Sequence, residues 1–245
     1  MDGALCKILA SKRMVGVIGG GSLKLDGEFL GEEIVKTVYG FPSSPLKFVK
    51  AKDKVFVVLL RHGPDGSIPP HRINHRANIE AFYSVGVKWI IGVNSVGSLK
   101  RGLVPGSFLV PDDFICPWSI LSFFDAKAVH ITPVLDETLR QKLIKTCERL
   151  GYPCVPKGIY VQTLGPRLET KAEVRFLSQI GDVVGMTMAH EATLSLEKGL
   201  RYASLCTIDN YAHGVSDEPL DEAQIKQMAR LNAEKVKRVL EEIEI

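Results

Sequence analysis

Residues 183–210 read VVGMTMAHEATLSLEKGLRYASLCTIDN: an apolar run, a helical pattern and a second apolar run, with almost nothing between them. A strand, a helix and a strand in that order predict a parallel crossover, because a connection through a helix joins parallel rather than hairpin strands. Both strand ends then fall on one edge of a parallel sheet, where open α/β folds bind ligands. On that expectation Thr187 can meet an anion, Met186 an apolar or sugar face, and Asn210 a heterocycle. Glu191 is expected to open the intervening helix.

The same alternation runs through the chain. Short apolar stretches at 14–18, 55–60, 87–93, 107–110, 158–161, 183–185 and 202–208 have the length and Val/Ile content of buried strands. Helical patterns occupy 73–85, 136–150, 169–179 and 191–198. A last amphipathic helix from about Leu220 carries Ile225, Met228, Leu231, Val236, Val239, Leu240 and Ile243 on one face. No repeat, linker or composition shift divides residues 1–245, so the expectation is one α/β domain. Its central twisted sheet is mostly parallel or mixed and flanked by helices. Residues 118–130, WSILSFFDAKAVH, follow neither period and read as a long aromatic loop over a site or an interface.

Composition excludes several classes. A net charge of +3 without clustered basic residues argues against nucleic acid as a partner. No apolar run approaches a membrane span, and the first residues lack a signal-peptide pattern, so a cytoplasmic location is expected. Five cysteines (Cys6, Cys116, Cys147, Cys154, Cys206) without CxxC spacing read as small core residues of a reducing compartment, not as a zinc site or disulfide framework.

The polar residues that can carry chemistry sit where strands are expected to end. Gly19-Gly20-Gly21-Ser22 lets backbone N–H groups approach an anion and adds a hydroxyl, though Lys24 breaks the dinucleotide pattern and no GK[ST] follows. Arg61 and His62 offer positive charge and a donor after VFVVLL, with a surface arginine and capping histidine as the bland alternative. Asn94 and Ser95 form a third small polar strand end. His71 and His75 lack metal spacing and read as hydrogen-bonding groups. In GPRLET, Glu169 is either a first-turn helix acid or a carboxylate for a ring N–H. Asn210 is a turn residue or a partner for a purine edge, and Asp209 a capping residue or a second base contact.

Taken in order, VIGGGSL, LLRHG, PPHRINHRANIEA, VNSVGSL, QTLGPRLETKAE, VVGMTMAHEA and YASLCTIDN resemble the purine nucleoside phosphorylase and methylthioadenosine phosphorylase family over nearly the whole chain. The resemblance implies the nucleoside phosphorylase fold and phosphorolysis, in which phosphate attacks the anomeric carbon and releases the purine. Inorganic phosphate is then a co-substrate, and neither a cofactor nor a metal is needed. It implies phosphate held by Gly21 or Ser22, Arg61, His62, Asn94, Ser95 and Thr187. Met186 would lie beneath the ribose, and Leu168 where an aromatic often faces the base. Asn210 and Glu169 would serve the leaving base, with His62 beside the phosphate.

Two positions imply the subclass. Adenine-type members have aspartate where Asn210 stands and a second acid where this chain has Ala212, whereas Glu169 with Asn210 resembles the 6-oxopurine type. The expected substrates are therefore inosine, guanosine and methylthioinosine, in purine salvage. Methylthioadenosine phosphorolysis is the alternative, and a non-catalytic nucleoside-binding protein the alternative of another class. The chain departs from the family at Gly21, which replaces a hydroxyl residue, and at His190, which replaces a proline. His130 resembles a histidine that reaches a neighbouring active site in trimeric relatives, and Phe123 or Phe124 could line an apolar 5′ pocket. A homotrimer, or a hexamer of trimers, is implied with it.

Overall fold

The structure is a computed structural model and describes residues 14–245. Cys6 lies outside the described residues, as does most of the N-terminal segment read for a targeting signal. Among the described residues, one mixed sheet of eleven strands runs in the order β2-β3-β4-β1-β5-β10-β9-β7, with β11, β6 and β8 branching from β5. The strands are β1 (Met14–Gly19), β2 (Glu28–Glu33), β3 (Leu46–Ala51), β4 (Lys54–Leu60), β5 (Trp89–Ser98) and β6 (Phe108–Leu109). They continue as β7 (Asp113–Ile115), β8 (Cys154–Val155), β9 (Ile159–Gln162), β10 (Val183–Gly185) and β11 (Arg201–Tyr211). The helices are α1 (His75–Ser84), α2 (Glu137–Arg149), α3 (Lys171–Ile180), α4 (Met188–Glu197) and α5 (Glu222–Glu242).

The seven predicted strands and five predicted helices all form, within a few residues of their predicted bounds. Four strands escaped the pattern. β2 and β3 are a polar edge hairpin, EFLGEE against LKFVKA, whose outer strand is largely exposed and therefore carries no apolar run. β7 and β8 are too short to show a period. Two layers of apolar side chains flank the sheet, one around Phe48, Phe82 and Tyr160, the other around Phe56, Phe108 and Leu205. α5 contributes Val236, Val239 and Leu240 to the second, joined by Ile243 just after it, but Leu231, expected on that face, is exposed. Among the described residues no helix is long and apolar enough to cross a membrane.

The crossover at 183–210 differs from its prediction. β11 runs parallel to β5, but β10 runs antiparallel to it on the opposite flank, so the two strands do not share a carboxyl edge. The consequence is a gap. On one flank of β5, β1 pairs with residues up to Gly92 and β10 with Gly97 and Ser98, and residues 93–96 between them have no strand partner there. β1 and β10 thus point their C-terminal ends at each other across this gap, bringing the loops at 20–22 and 186–187 together. The predicted polar strand end at Asn94 and Ser95 is instead the middle of β5.

Candidate active site

A cavity of about 330 Å³ opens at this gap. Strand alternation explains its polarity. The Val93 carbonyl and the Leu99 N–H both point to the β1/β10 flank, so Ser95, two residues from one and four from the other, aims its backbone N–H into the unpaired interval. The Ser95 side chain is exposed to the cavity.

Arg61 closes the gap from behind. Its guanidinium donates to the carbonyls of Ile18 and Val93 at 2.8 Å each, bridging the end of β1 to β5. Nε and Nη2 donate to the two oxygens of Glu191, at 2.7 and 3.3 Å, with both side chains almost wholly buried. Five N–H donors less these four leave one for the cavity that Arg61 lines. The α4 helix starts three residues earlier than predicted: Thr187 is the N-cap, and Glu191 is the acid of the first turn, also accepting from Tyr202 Oη at 2.8 Å. The sequence reading missed this partner because Arg61 and Glu191 are 130 residues apart and no local pattern links them.

Asn94 does not line the cavity. Its Nδ2 donates to Thr187 Oγ1 at 2.9 Å, and its Oδ1 accepts from Ser204 Oγ at 2.7 Å. Thr187, accepting from Asn94, keeps its hydroxyl proton free to donate into the cavity. The adjoining N–H groups of Thr187 and Met188 are turned to Tyr160 Oη, and that of Ala189 to Gln162. The α4 N-terminus thus presents a hydroxyl to the cavity, its first amides being engaged within the protein.

His62 lines the cavity with its Nδ1 2.8 Å from the Ile68 carbonyl. A carbonyl only accepts, so Nδ1 carries the proton and the neutral ring turns a bare Nε2 to the site. Burial lowers its pKa, the Ile68 carbonyl opposes this, and the Arg61 charge lowers it further. The fixed positive charge expected at this pair thus belongs to Arg61 alone. In the glycine loop, Gly20 and Ser22 line the cavity and Gly21 does not.

The other end of the cavity is built by the loop before α3 and the end of β11. Thr170 caps α3 in a capping box with Glu173, so Glu173 is the first-turn acid and Glu169 lies outside the helix. Glu169 is buried at the cavity wall, its Oε1 accepting from Thr163 Oγ1 at 2.6 Å, which leaves Oε2 for another donor. Gly165, at φ +63°, packs its backbone on the Met186 sulfur, in a backbone conformation that favours glycine. Leu168 and Met186 line the same end.

On β11 the pairing slips between Ile208 and Asn210, so Asp209 is one residue in excess of its partner strand. Such a bulge breaks alternation and turns neighbouring side chains to one side. Asp209, Asn210 and Ala212 all reach the cavity. Asn210 donates one amide hydrogen to the Tyr211 carbonyl at 2.7 Å and has a second to offer. Asp209 is 3% exposed and accepts from Asn232 at 2.8 Å and Thr207 at 3.1 Å. Burial raises its pKa from the ordinary aspartate value, and those hydrogen bonds offset part of the rise.

Phe123, Phe124 and His130 do not line this cavity. The 118–130 loop instead docks on α4, where Ser122 Oγ and the Phe123 N–H bind Glu197, and His130 is exposed. The apolar wall comes from Leu220 before α5 and from Ile225, Ala229 and Ala233 of that helix, positions the sequence reading largely missed. The spacing of Ile225, Ala229 and Ala233 on one helix face was the available signal, the alanines marking where that face meets a void. Among the described residues no cluster of three or more His, Cys, Asp or Glu could hold a metal ion.

A mixed α/β sheet whose site lies where two strands meet head-on across a third is a nucleoside phosphorylase-like architecture. The model of the phosphorylase superfamily matches residues 15–243, and the chain belongs to that family. It is 40% identical over 233 residues to a protein of Archaeoglobus fulgidus named "probable 6-oxopurine nucleoside phosphorylase", covering 94% of this chain and 95% of that one. It is likewise 40% identical to a protein of Methanocaldococcus jannaschii named "probable S-methyl-5′-thioinosine phosphorylase", with 94% and 91% covered. Among solved structures, methylthioadenosine phosphorylase from Schistosoma mansoni in complex with tubercidin superposes with a TM-score of 0.84 at 30% identity, over 94% of this chain and 90% of that one.

Proposed function

We propose that this protein catalyses the phosphorolysis of 6-oxopurine nucleosides, releasing the base and a ribose 1-phosphate. The observation that carries the reading is the combination of Glu169, Asn210 and Ala212 on one cavity. A 6-oxopurine presents N1–H as a donor, which the free oxygen of Glu169 accepts, and N7 as an acceptor, which Asn210 meets with its second amide hydrogen. Adenine N1 is an acceptor and would face a carboxylate unpaired, a mismatch of about 1–3 kcal/mol. Nothing acidic stands at Ala212 to receive a 6-amino group.

Inorganic phosphate is the co-substrate in this reading, held by Ser22, the Ser95 N–H, Thr187 and the remaining Arg61 donor. Cleavage builds positive charge on the sugar and negative charge on the leaving purine. The phosphate stabilises the first, and the Asn210 donor the second. No covalent enzyme intermediate is required. The apolar wall from Leu220, Ile225 and Ala229 favours a second substrate, a nucleoside with an apolar 5′ substituent such as methylthioinosine. A homotrimer, a role for His130 in a neighbouring site, a cytoplasmic location and a part in purine salvage belong to the same reading.

The test is a panel of inosine, guanosine, adenosine and the two methylthio nucleosides, followed by absorbance with and without phosphate. Phosphate-dependent release of hypoxanthine or guanine is expected. Turnover on adenosine or methylthioadenosine alone would transfer the chain to the adenine class. Binding without cleavage of any nucleoside would make it a nucleoside-binding protein.

A further inference from the structure

The groups that would hold an anion in this cavity are donors, with one exception. Ser22, the Ser95 N–H, Thr187 and the last Arg61 N–H all donate, and the Arg61 charge is already met by Glu191. His62 lines the same wall with a lone pair. Its Nδ1 carries the ring proton because it faces the Ile68 carbonyl at 2.8 Å, and its Nε2 has no hydrogen-bond partner among the described residues.

The surroundings hold the ring in that sense. Its Nε2 edge lies along the glycine loop, where a Cβ on Gly20 would meet His62 Cδ2 at 3.9 Å. Moving the proton to Nε2 would set a lone pair against the Ile68 carbonyl. Burial lowers the His62 pKa, and the Arg61 charge lowers it further, which keeps the ring neutral above the ordinary histidine range. No carboxylate takes over the acceptor's place. Both oxygens of Asp209 are engaged, by Asn232 and by Thr207, and Glu169 stands with Thr163 at the other end of the cavity.

A bare acceptor inside an anion site fits an oxyanion that brings its own hydrogen. Phosphate carries a P–O–H group both as the monoanion and as the dianion, whereas sulfate has none. We propose that His62 Nε2 accepts the P–O–H hydrogen of phosphate, which makes His62 the residue that selects protonated oxyanions over bare ones. The inference rests on the phosphate reading of this cradle and deepens it. An oxyanion without a hydrogen would set its own lone pairs against that of Nε2, leaving the ring nitrogen unsatisfied in a partly buried site.

Four anions separate the proton from charge and size. Phosphate and arsenate carry an O–H, sulfate does not, and monofluorophosphate matches hydrogen phosphate in shape and double charge with fluorine in place of the hydroxyl. Calorimetric titration of the full chain at about pH 8, where a neutral imidazole is expected, gives the affinities. Phosphate and arsenate should bind about ten- to a hundredfold more tightly than sulfate and fluorophosphate. His62→Gln offers either an amide hydrogen or a carbonyl to the anion, so its four affinities should converge. A nitrogen-15 spectrum of the histidine-labelled wild type requires no variant to fold. It should show His62 protonated at Nδ1, with an Nε2 resonance that moves on adding phosphate in the direction of hydrogen-bond acceptance. Equal binding of all four anions by the wild type, a gap that persists in His62→Gln, or a His62 ring protonated at Nε2 overturns the proposal and leaves the cradle standing. Failure of the wild type to bind either phosphate or sulfate overturns the cradle itself.

Discussion

The Glu191 carboxylate is wholly buried, and its stability rests on the bidentate geometry with Arg61 and the Tyr202 hydroxyl. Removing one member of such a pair leaves an uncompensated buried charge, which costs about 3–5 kcal/mol. Glu191→Gln should therefore lower unfolding free energy by about that amount in a denaturant titration, whereas exposed pairs such as Arg101–Asp217 should change it by less than about 1 kcal/mol. At the base end the expected loss is catalytic. Glu169→Gln turns an acceptor partly into a donor and should cut kcat/KM on inosine by about ten- to a hundredfold, an effect of 1–3 kcal/mol. Activity on adenosine should change little, and steady-state rates on both nucleosides read the ratio. Residues that speak through their own chemistry, such as Arg61, Thr187, Glu169 and Asn210, were legible in the sequence. Asn94 was legible only as a polar residue, because its work is to orient Thr187 across 93 positions of chain. The excess residue at Asp209 was not legible at all, since a bulge is a property of two paired strands.

At the scale of elements, strand and helix periodicity revealed what is buried on a face and lost what is not. That is why β1, β4, β5 and β11 were visible and the exposed hairpin partner β2 was not. The direction of β10 was also invisible, because three residues carry no sign of parallel or antiparallel pairing. The α1–α4 contact holds a feature with a measurable consequence. His75 is 3% exposed, neither ring nitrogen has a hydrogen-bond partner, and its ring meets His190 edge-on at 5.1 Å. Burial, reinforced by His190, Arg61 and His62, holds its pKa well below the ordinary value of 6.5. The unfolded chain therefore binds a proton below about pH 6.5 that the folded chain refuses, and stability falls as pH drops through that window. The slope is at most about 1.4 kcal/mol per pH unit for this group. His75→Phe keeps the edge contact and removes the titration. Its Tm should match or exceed that of the wild type near neutrality and decline less steeply on acidification, read by calorimetry across the acid range.

At the scale of the whole molecule, the 118–130 loop is held to its own α4 by Glu197 while His130 stays exposed and off its own cavity. Val38, Ile34 and Trp118 are exposed as well. If the chain is a trimer whose sites borrow His130 from a neighbour, activity depends on which chains are mixed. Asn210→Ala loses its donor to the leaving base, and His130→Ala supplies nothing to the next site, so each variant alone should lose at least about tenfold in kcat/KM. Unfolded together and refolded as mixed assemblies, the two should recover activity, because a chain with intact Asn210 can then sit beside a chain with intact His130. Recovery should follow the fraction of such neighbours as the mixing ratio is varied, with light scattering reporting a trimer or hexamer throughout. Two variants with no gain on mixing, or full wild-type activity from a monomer, would leave each chain with a self-sufficient site and His130 without a role in it.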